Sequence, residues 1–522
     1  MSTAMQPSPF DERSSGILLH PSSLPGPFGS GDLGLTAHRF AEFLARSGQR
    51  WWQMLPLGPL GAGASPYDSP SSFAGNPLLI SLELLARDGL LDPRDLSAPR
   101  RLVEAKSCLF ASSSTFRMRR LRRAFERFRE RPAPELAREL EAFRERARYW
   151  LPGVTRFRAL KRLHKGRPWT QWDPELATPP SRGEPPKRPE LLDEIAFEEF
   201  VQFAFDRQWN ELHEHCRELG VVLLGDVPMF VAHDGADVWE HRDIFQLDER
   251  GDRRVVAGVP PDYFSAEGQL WGNPVYDWET LERRDFDWWL ERLKGTLSRF
   301  DAVRLDHFIG FYRYWEIPAW ASTAREGRFV LVPGMKLFQK LRAEIGGLPF
   351  IAEDLGLITP EVGALRDDLE LPGMRVLEFA FGGDFREYQP HRYPRRSVVY
   401  TGTHDNDTLV GWLGAHERTP DPAERARLEQ ETRRALMYAG SDGREPHWDF
   451  IRLALASVAN TAIFPLQDVL GLGSEARMNV PGTANGNWTY RCRMEDLSPR
   501  VSERLAELSE TYERVPRSLR GR

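Results

Sequence analysis

The stretch Phe300–Phe308 reads F-D-A-V-R-L-D-H-F, and its pattern decides how the rest of the chain is read. Val303 and Leu305 alternate with Arg304 and Asp306, as in a short buried strand whose end carries charge. Residues two apart on a strand project to the same side, so Arg304 and Asp306 share a face. A cation beside a carboxylate keeps it ionised and aimed. An ionised, positioned aspartate is what covalent glycosyl transfer needs as a nucleophile.

Two further apolar segments end in acids: P-F-I-A-E-D at Pro349–Asp354 and V-V-Y-T-G-T-H-D-N-D at Val398–Asp407. Taken singly, an acid after a strand is commonly a helix cap or a surface charge. Three in matching positions point to one site. Asp306, Glu353 and Asp405 are the candidates, and the apolar run before Glu353 favours its protonated form.

Outward from these segments the chain alternates strands and helices. Strand patterns fall at Ile17–Leu19, Trp51–Leu57, Val221–Asp226, Ala302–Asp306, Phe350–Glu353, Arg375–Phe379, Val398–Thr401 and Thr461–Pro465. Helical spacing lies between most of them, as at Thr36–Ser47 (with Thr36 as a capping residue), Glu194–Leu219, Phe286–Leu297 and Lys336–Ile345. Eight alternating strands predict an α/β fold of the (β/α)8 barrel type, with catalytic residues where strands end. From about 80 to 190 the pattern changes to Arg/Glu-rich amphipathic helices at Phe116–Arg131 and Glu135–Tyr149, then a proline-rich connector at Pro179–Pro189. This reads as a helical insertion in a single catalytic barrel of 522 residues. In the run R-M-R-R-L-R-R-A-F, the interleaved Glu126 and Glu130 indicate a solvated helix face rather than a nucleic-acid patch.

Composition excludes several classes of function. A net charge of −6 gives no reason to expect nucleic acid or an anionic membrane as partner. Cys108, Cys216 and Cys492 are scattered and without a CxxC, as in a cytoplasmic protein with reduced thiols. No signal peptide or membrane-length apolar run is read. No HExxH, EF-hand or phosphate-cradling loop appears, His233 has no metal-ligand pattern, and neither metal nor cofactor is expected. His20, at a strand end, fits either a substrate contact or a structural hydrogen bond.

The segments R-L-D-H-F, I-A-E-D-L-G and T-G-T-H-D-N-D-T, in that order, resemble the catalytic segments of the amylomaltases (4-α-glucanotransferases), a branch of the α-amylase superfamily. G-D-V-P-M-F-V-A-H-D-G-A-D-V-W at Gly225–Trp239 resembles that family's third-strand segment. P-P-D-Y-F-S-A-E-G-Q-L-W-G-N-P-V-Y at Pro260–Tyr276 is similar to its mobile loop. S-P-Y-D-S-P-S-S-F-A-G-N-P and M-N-V-P-G-T-A-N-G-N-W also match. The resemblance implies Asp306 as nucleophile, Glu353 as general acid/base, and Asp405 as the acid that grips the sugar at the transition state. It implies Arg304 and His404 as their support, Asp226 as an orienting residue, and Tyr67 and Asn479 as substrate contacts. Aromatic contacts to sugar are expected from the 258–277 loop, where Tyr263, Phe264 and Trp271 would lie over the cleft. His307-Phe308 stands where other amylases carry Lys-His, which fits this branch. The implied activity is α-1,4-glucan transfer between maltooligosaccharides, amylose, glycogen or glucose. A glucan hydrolase and a non-catalytic glucan-binding barrel are the competing readings.

Overall fold

The computed structural model describes residues 8–131, 133–179, 190–261, 267–356, 358–383 and 386–516. Eight short strands, apolar enough to be covered on both faces, pair in parallel: β1 (Ser14–Leu18), β2 (Trp51–Gln53), β3 (Val222–Val227), β4 (Ala302–Leu305), β5 (Phe350–Ala352), β6 (Gly373–Val376), β7 (Ser397–Tyr400) and β8 (Thr461–Pro465). They close in chain order, and β8 returns to pair with β1 from Ser14↔Thr461 onward. The expected barrel is therefore present, with a strand overlapping each anticipated segment; the sixth is Gly373–Val376 and not Arg375–Phe379, because the chain turns into a 3₁₀ helix at Leu377–Ala380. Gly225 of β3 allows a close approach: a Cβ there would lie 2.5 Å from the ring of Phe300, the residue that opens the β4 stretch.

The connections differ in detail from the sequence expectation. The segment after Gln53 leaves the barrel, so β2 is shorter than Trp51–Leu57. The first crossover helix, Leu35–Arg46, is capped by Gly34 and not by Thr36, which lies inside its first turn. Asp32 accepts the Gly34 N–H at 2.9 Å, and a Cβ on Gly34 would meet Ser81 Oγ at 2.5 Å, so close packing selects the start. Between β6 and β7 the described residues form only 3₁₀ turns, at Leu377–Ala380, Arg386–Tyr388 and Pro390–Arg392. A four-stranded antiparallel sheet, ordered Gln269–Pro274, Val255–Val259, Arg313–Pro318, Arg328–Leu331, stands beside the barrel. It places Trp271 on a strand rather than in a loop. Tyr263 and Phe264 lie outside the described residues.

Helices Phe110–Glu130, Pro134–Ala147 and Leu151–Leu163 occupy the region between β2 and β3. Phe125 and Phe128 pack on Phe200 of the long helix Glu190–Glu218, at 5.7 and 5.4 Å, within the same hydrophobic core as the barrel. The arginine-rich run is not wholly a solvated face. Arg117 is fully buried and donates to Ile80 O at 2.7 Å, Ser30 O at 3.0 Å and Asp32 Oδ2 at 3.0 Å. One arginine of the run thus ties this helix to the loop after β1.

A buried charge left without its partner is costly, so Arg117→Ala should lower the unfolding free energy by about 3–5 kcal/mol. Urea denaturation checks this, and Arg117→Met with Asp32→Asn should recover part of the loss.

Candidate active site

Parallel pairing of β3 with β4 sets Asp226 opposite Arg304. Arg304 is 4% exposed, and its Nη1 lies 3.0 and 2.9 Å from the two Asp226 oxygens and 2.9 Å from Asp306 Oδ1. The shared strand face expected for Arg304 and Asp306 is therefore a direct contact, with a second carboxylate on the same cation. Burial pushes the Asp226 carboxyl up to about 7 against the opposing pull of Arg304. Asp226 Oδ2 also accepts the Tyr67 hydroxyl at 3.0 Å. Burial and the neighbouring Asp226 carboxylate raise the Tyr67 phenol well above its ordinary range.

Glu353 follows β5. Its Oε2 accepts the backbone N–H of His307 at 2.8 Å, and its Oε1 that of Leu355 at 3.1 Å. His307 reaches this geometry in the left-handed region, φ 49°, a conformation unusual for a residue with a side chain. Burial pushes the Glu353 carboxyl up to about 8; Arg304 opposes the shift and the Asp306 charge adds to it. A glutamic acid that keeps its proton at neutral pH thus stands beside an arginine-held aspartate. Burial lowers the His307 imidazole to about 4, so that ring is neutral at pH 7; it meets Trp271 edge-on at 4.8 Å.

Asp405 is carried by the turn after β7. Asn479 Nδ2 donates to its Oδ1 at 2.6 Å, and His404 Nε2 lies 3.4 Å from its Oδ2. Arg477 donates to the Asp405 backbone carbonyl at 2.6 Å and to that of Asn479 at 2.7 Å. The His404 ring, whose pKa burial lowers, stacks on Tyr67 at 5.0 Å and 15°. Trp488 closes this stack, 5.7 Å from Tyr67 and 6.0 Å from His404.

Contacts therefore link Asp306, Arg304, Asp226, Tyr67, His404, Asp405 and Asn479 in one chain, and Glu353 joins it through the residue after Asp306. All eight sequence-anticipated residues within the described chain meet at one end of the barrel. His20 is 4% exposed; burial lowers its imidazole to about 3, while a bond to the Leu55 backbone raises it, and its Nδ1 has no partner among the described residues. Sequence reasoning did not single out Arg477, which precedes the quoted M-N-V-P-G-T-A-N-G-N-W segment, or Trp488, which ends it. Asp354, next to Glu353, instead serves the fold: it is 3% exposed and accepts the Met374 N–H at 2.6 Å. Among the described residues, no group of three or more His, Cys, Asp or Glu is arranged to hold a metal ion.

Residues 19–496 match the model of the 4-alpha-glucanotransferase family. The chain belongs to that family. It is 48% identical over 509 residues to a 4-alpha-glucanotransferase of Thermus thermophilus, covering 96% of this chain and 99% of the relative. A Synechocystis 4-alpha-glucanotransferase is 45% identical, over 97% and 98% of the two chains. An amylomaltase from Streptococcus agalactiae, solved in complex with acarbose, superposes with a TM-score of 0.90 at 33% identity, over 96% of this chain and 100% of that one. A family member of this kind is a glycosyl-transferring enzyme that acts on α-1,4-glucans, and transfer is favoured over the hydrolase reading.

Tyr67 makes a hydrogen bond to a buried carboxylate, a class of bond whose loss costs about 1.5–3 kcal/mol. Tyr67→Phe should lower stability by that amount in denaturant titration, and much less in an Asp226→Asn background.

Proposed function

We propose that this glucanotransferase works by double displacement, with Asp306 as nucleophile, Glu353 as general acid and base, and Asp405 as the acid that grips the sugar. The observation that carries this reading is the opposite environment of two neighbouring carboxyl groups. Arg304 holds Asp306, while burial preserves the proton on Glu353. Pairs of carboxyl groups pushed apart in this way divide acid and nucleophile roles.

In the first half-reaction Glu353 gives its proton to the glycosidic oxygen as Asp306 attacks the anomeric carbon. The bond to the leaving sugar breaks, that sugar departs with a free 4-hydroxyl, and the remaining glucan is esterified to Asp306. In the second half-reaction the Glu353 carboxylate takes the proton of an incoming 4-hydroxyl. The new oxygen attacks the same carbon, Asp306 leaves, and two inversions restore the α configuration. Asp405, held by Asn479 and partly exposed, is placed to bond ring hydroxyls as positive charge develops. His404, Tyr67 and Asp226 fix these groups, and no cofactor enters the scheme.

Donors are maltooligosaccharides, amylose or glycogen, and acceptors are glucose or the 4-hydroxyl end of another glucan; attack by the donor's own end would give a ring. That the Streptococcus agalactiae amylomaltase was solved in complex with acarbose supports a sugar-chain ligand for this chain. We take the whole chain as one catalytic unit, with the 80–190 helices as an insertion and the 258–277 segment bordering the cleft. Three free, buried cysteines support a cytoplasmic setting, and no helix among the described residues is long and apolar enough to cross a membrane.

Incubation with maltotriose should release glucose together with longer oligomers and no matching gain in reducing ends; a gain equal to all bonds cleaved would indicate hydrolysis. Asp306→Asn should abolish turnover while glucan binding persists. Because the acid form of Glu353 is required, kcat/KM should fall tenfold per pH unit above its pKa of about 8.

A further inference from the structure

Asp306 directly follows β4 and Glu353 directly follows β5, so the barrel itself fixes both. Asp405 lies further out, in the turn 401–409 that runs from β7 into the helix Leu409–Leu413. A strand end does not by itself fix a residue in mid-turn, and the support for Asp405 comes from the segment after β8.

We propose that Asp468, on that segment, is the positioning residue of the turn: its carboxylate fastens the two ends of 401–409 together and thereby sets Asp405 against the sugar. The inference rests on the reading of Asp405 as the acid that grips the sugar. Asp468 stands in the helix Leu466–Val469, which follows β8 without a break. β8 pairs in parallel with β7 from Val398↔Thr461 to Tyr400↔Ile463, so neighbouring strands bring carboxylate and turn together. Asp468 is 1% exposed; its Oδ2 accepts the Thr401 hydroxyl at 2.5 Å and its Oδ1 the Leu409 N–H at 2.8 Å. Burial pushes this carboxyl up to about 6 against the pull of the two bonds, so it is ionised at neutral pH and both oxygens accept. A buried carboxylate is tolerated when its lone pairs are used. Here each oxygen is used on one end of the same turn.

Between those ends the turn is braced by its own side chains. Asn406 Oδ1 accepts the Thr403 N–H at 2.9 Å and the Thr403 hydroxyl at 2.8 Å, and Thr403 Oγ1 accepts the Asp405 N–H at 3.2 Å. A turn with a fixed internal shape moves as a unit, so clamping its ends places Asp405. Asp407 adds a side tie, accepting the Ser474 hydroxyl at 2.6 Å and Arg418 at 3.1 Å. A Cβ on Gly402 would lie 2.6 Å from Glu378 Oε1, so the glycine lets the turn sit directly on the residues beneath it. Further along the segment that carries Asp468, Arg477 and Asn479 hold the Asp405 carbonyl and carboxylate. Asp405 acts as charge develops on the sugar, so its displacement weakens the transition state more than the bound substrate.

The test is kinetic. Asp468→Ala should lower kcat for maltotriose disproportionation about 10- to 100-fold and change KM less than about twofold. Asp468→Asn keeps an acceptor for Leu409 and a polar partner for Thr401, and should retain roughly a third or more of kcat. In an Asp405→Asn background, assayed with maltotriosyl fluoride so that slow turnover stays measurable, Asp468→Ala should cost less than about twofold, because the group it places is already gone. Equal losses in both backgrounds, a loss confined to KM, or a loss in Asp468→Asn as large as in Asp468→Ala overturns the proposal. Amide hydrogen exchange gives a readout apart from catalysis. It should quicken at 403–407 in Asp468→Ala while β7 and β8 stay protected, and unaltered exchange in the turn overturns the proposal. Should Asp468→Ala not fold, Thr401→Val removes one of the two bonds and carries the same readouts. An Asp405→Asn variant as active as wild type would strike the reading of Asp405 instead, and the exchange would still decide whether Asp468 fixes the turn.

Discussion

The contact of Arg304 with Asp226 and Asp306 is the constraint on which the site depends. One buried guanidinium, 4% exposed, serves two carboxylates at 2.9–3.0 Å. Removing three charges from water is unfavourable unless the geometry is good and the remaining lone pairs are used. The barrel supplies that geometry. β3 and β4 run in parallel, their register sets Asp226 beside Arg304, and the two-residue repeat of β4 sets Asp306 on the same side. Tyr67 then completes Asp226 and carries the network to His404 by stacking. In this way three strands and one loop are fixed around a single cation.

Asymmetry follows from the same arrangement. Asp306 has the cation, and Glu353, one strand further on, has burial, with two backbone N–H groups only partly restoring its charged form. The left-handed turn at His307 points its N–H to Glu353 and presents its ring to Trp271, connecting the reacting carboxyl groups to the sheet beside the barrel. The backbone strain at that residue accompanies a function the surrounding fold enforces.

Much of this is legible in the sequence because barrel strands are short, apolar and terminated by charge. All eight overlap the segments their patterns mark, though the bounds of β2 and β6 differ, and the acids after three of them lie at one end of the barrel. What could not be read required contacts across long separations. Asp226 and Arg304 are 78 residues apart, and nothing local signals that they pair. Arg117 has the local pattern of an exposed arginine, yet two carbonyls and Asp32 bury it. Thr36 is a good capping residue by type, but packing of Gly34 against Ser81 starts the helix earlier. The antiparallel sheet leaves little trace because its outer strands, Gln269–Pro274 and Arg328–Leu331, are largely exposed and so carry no buried alternation. Arg477 and Trp488 act through a backbone carbonyl and a ring stack, and neither leaves a motif of its own.

The central claim is that Asp306 carries the glucan between donor and acceptor. Its most direct test is to slow deglycosylation with Glu353→Gln, react the variant with an activated, fluorinated glucosyl donor, and map the modified peptide by mass spectrometry. The account predicts one glucosyl ester, on Asp306, absent in the Asp306→Asn variant. An adduct on another carboxyl group, or none while transfer continues, would contradict it.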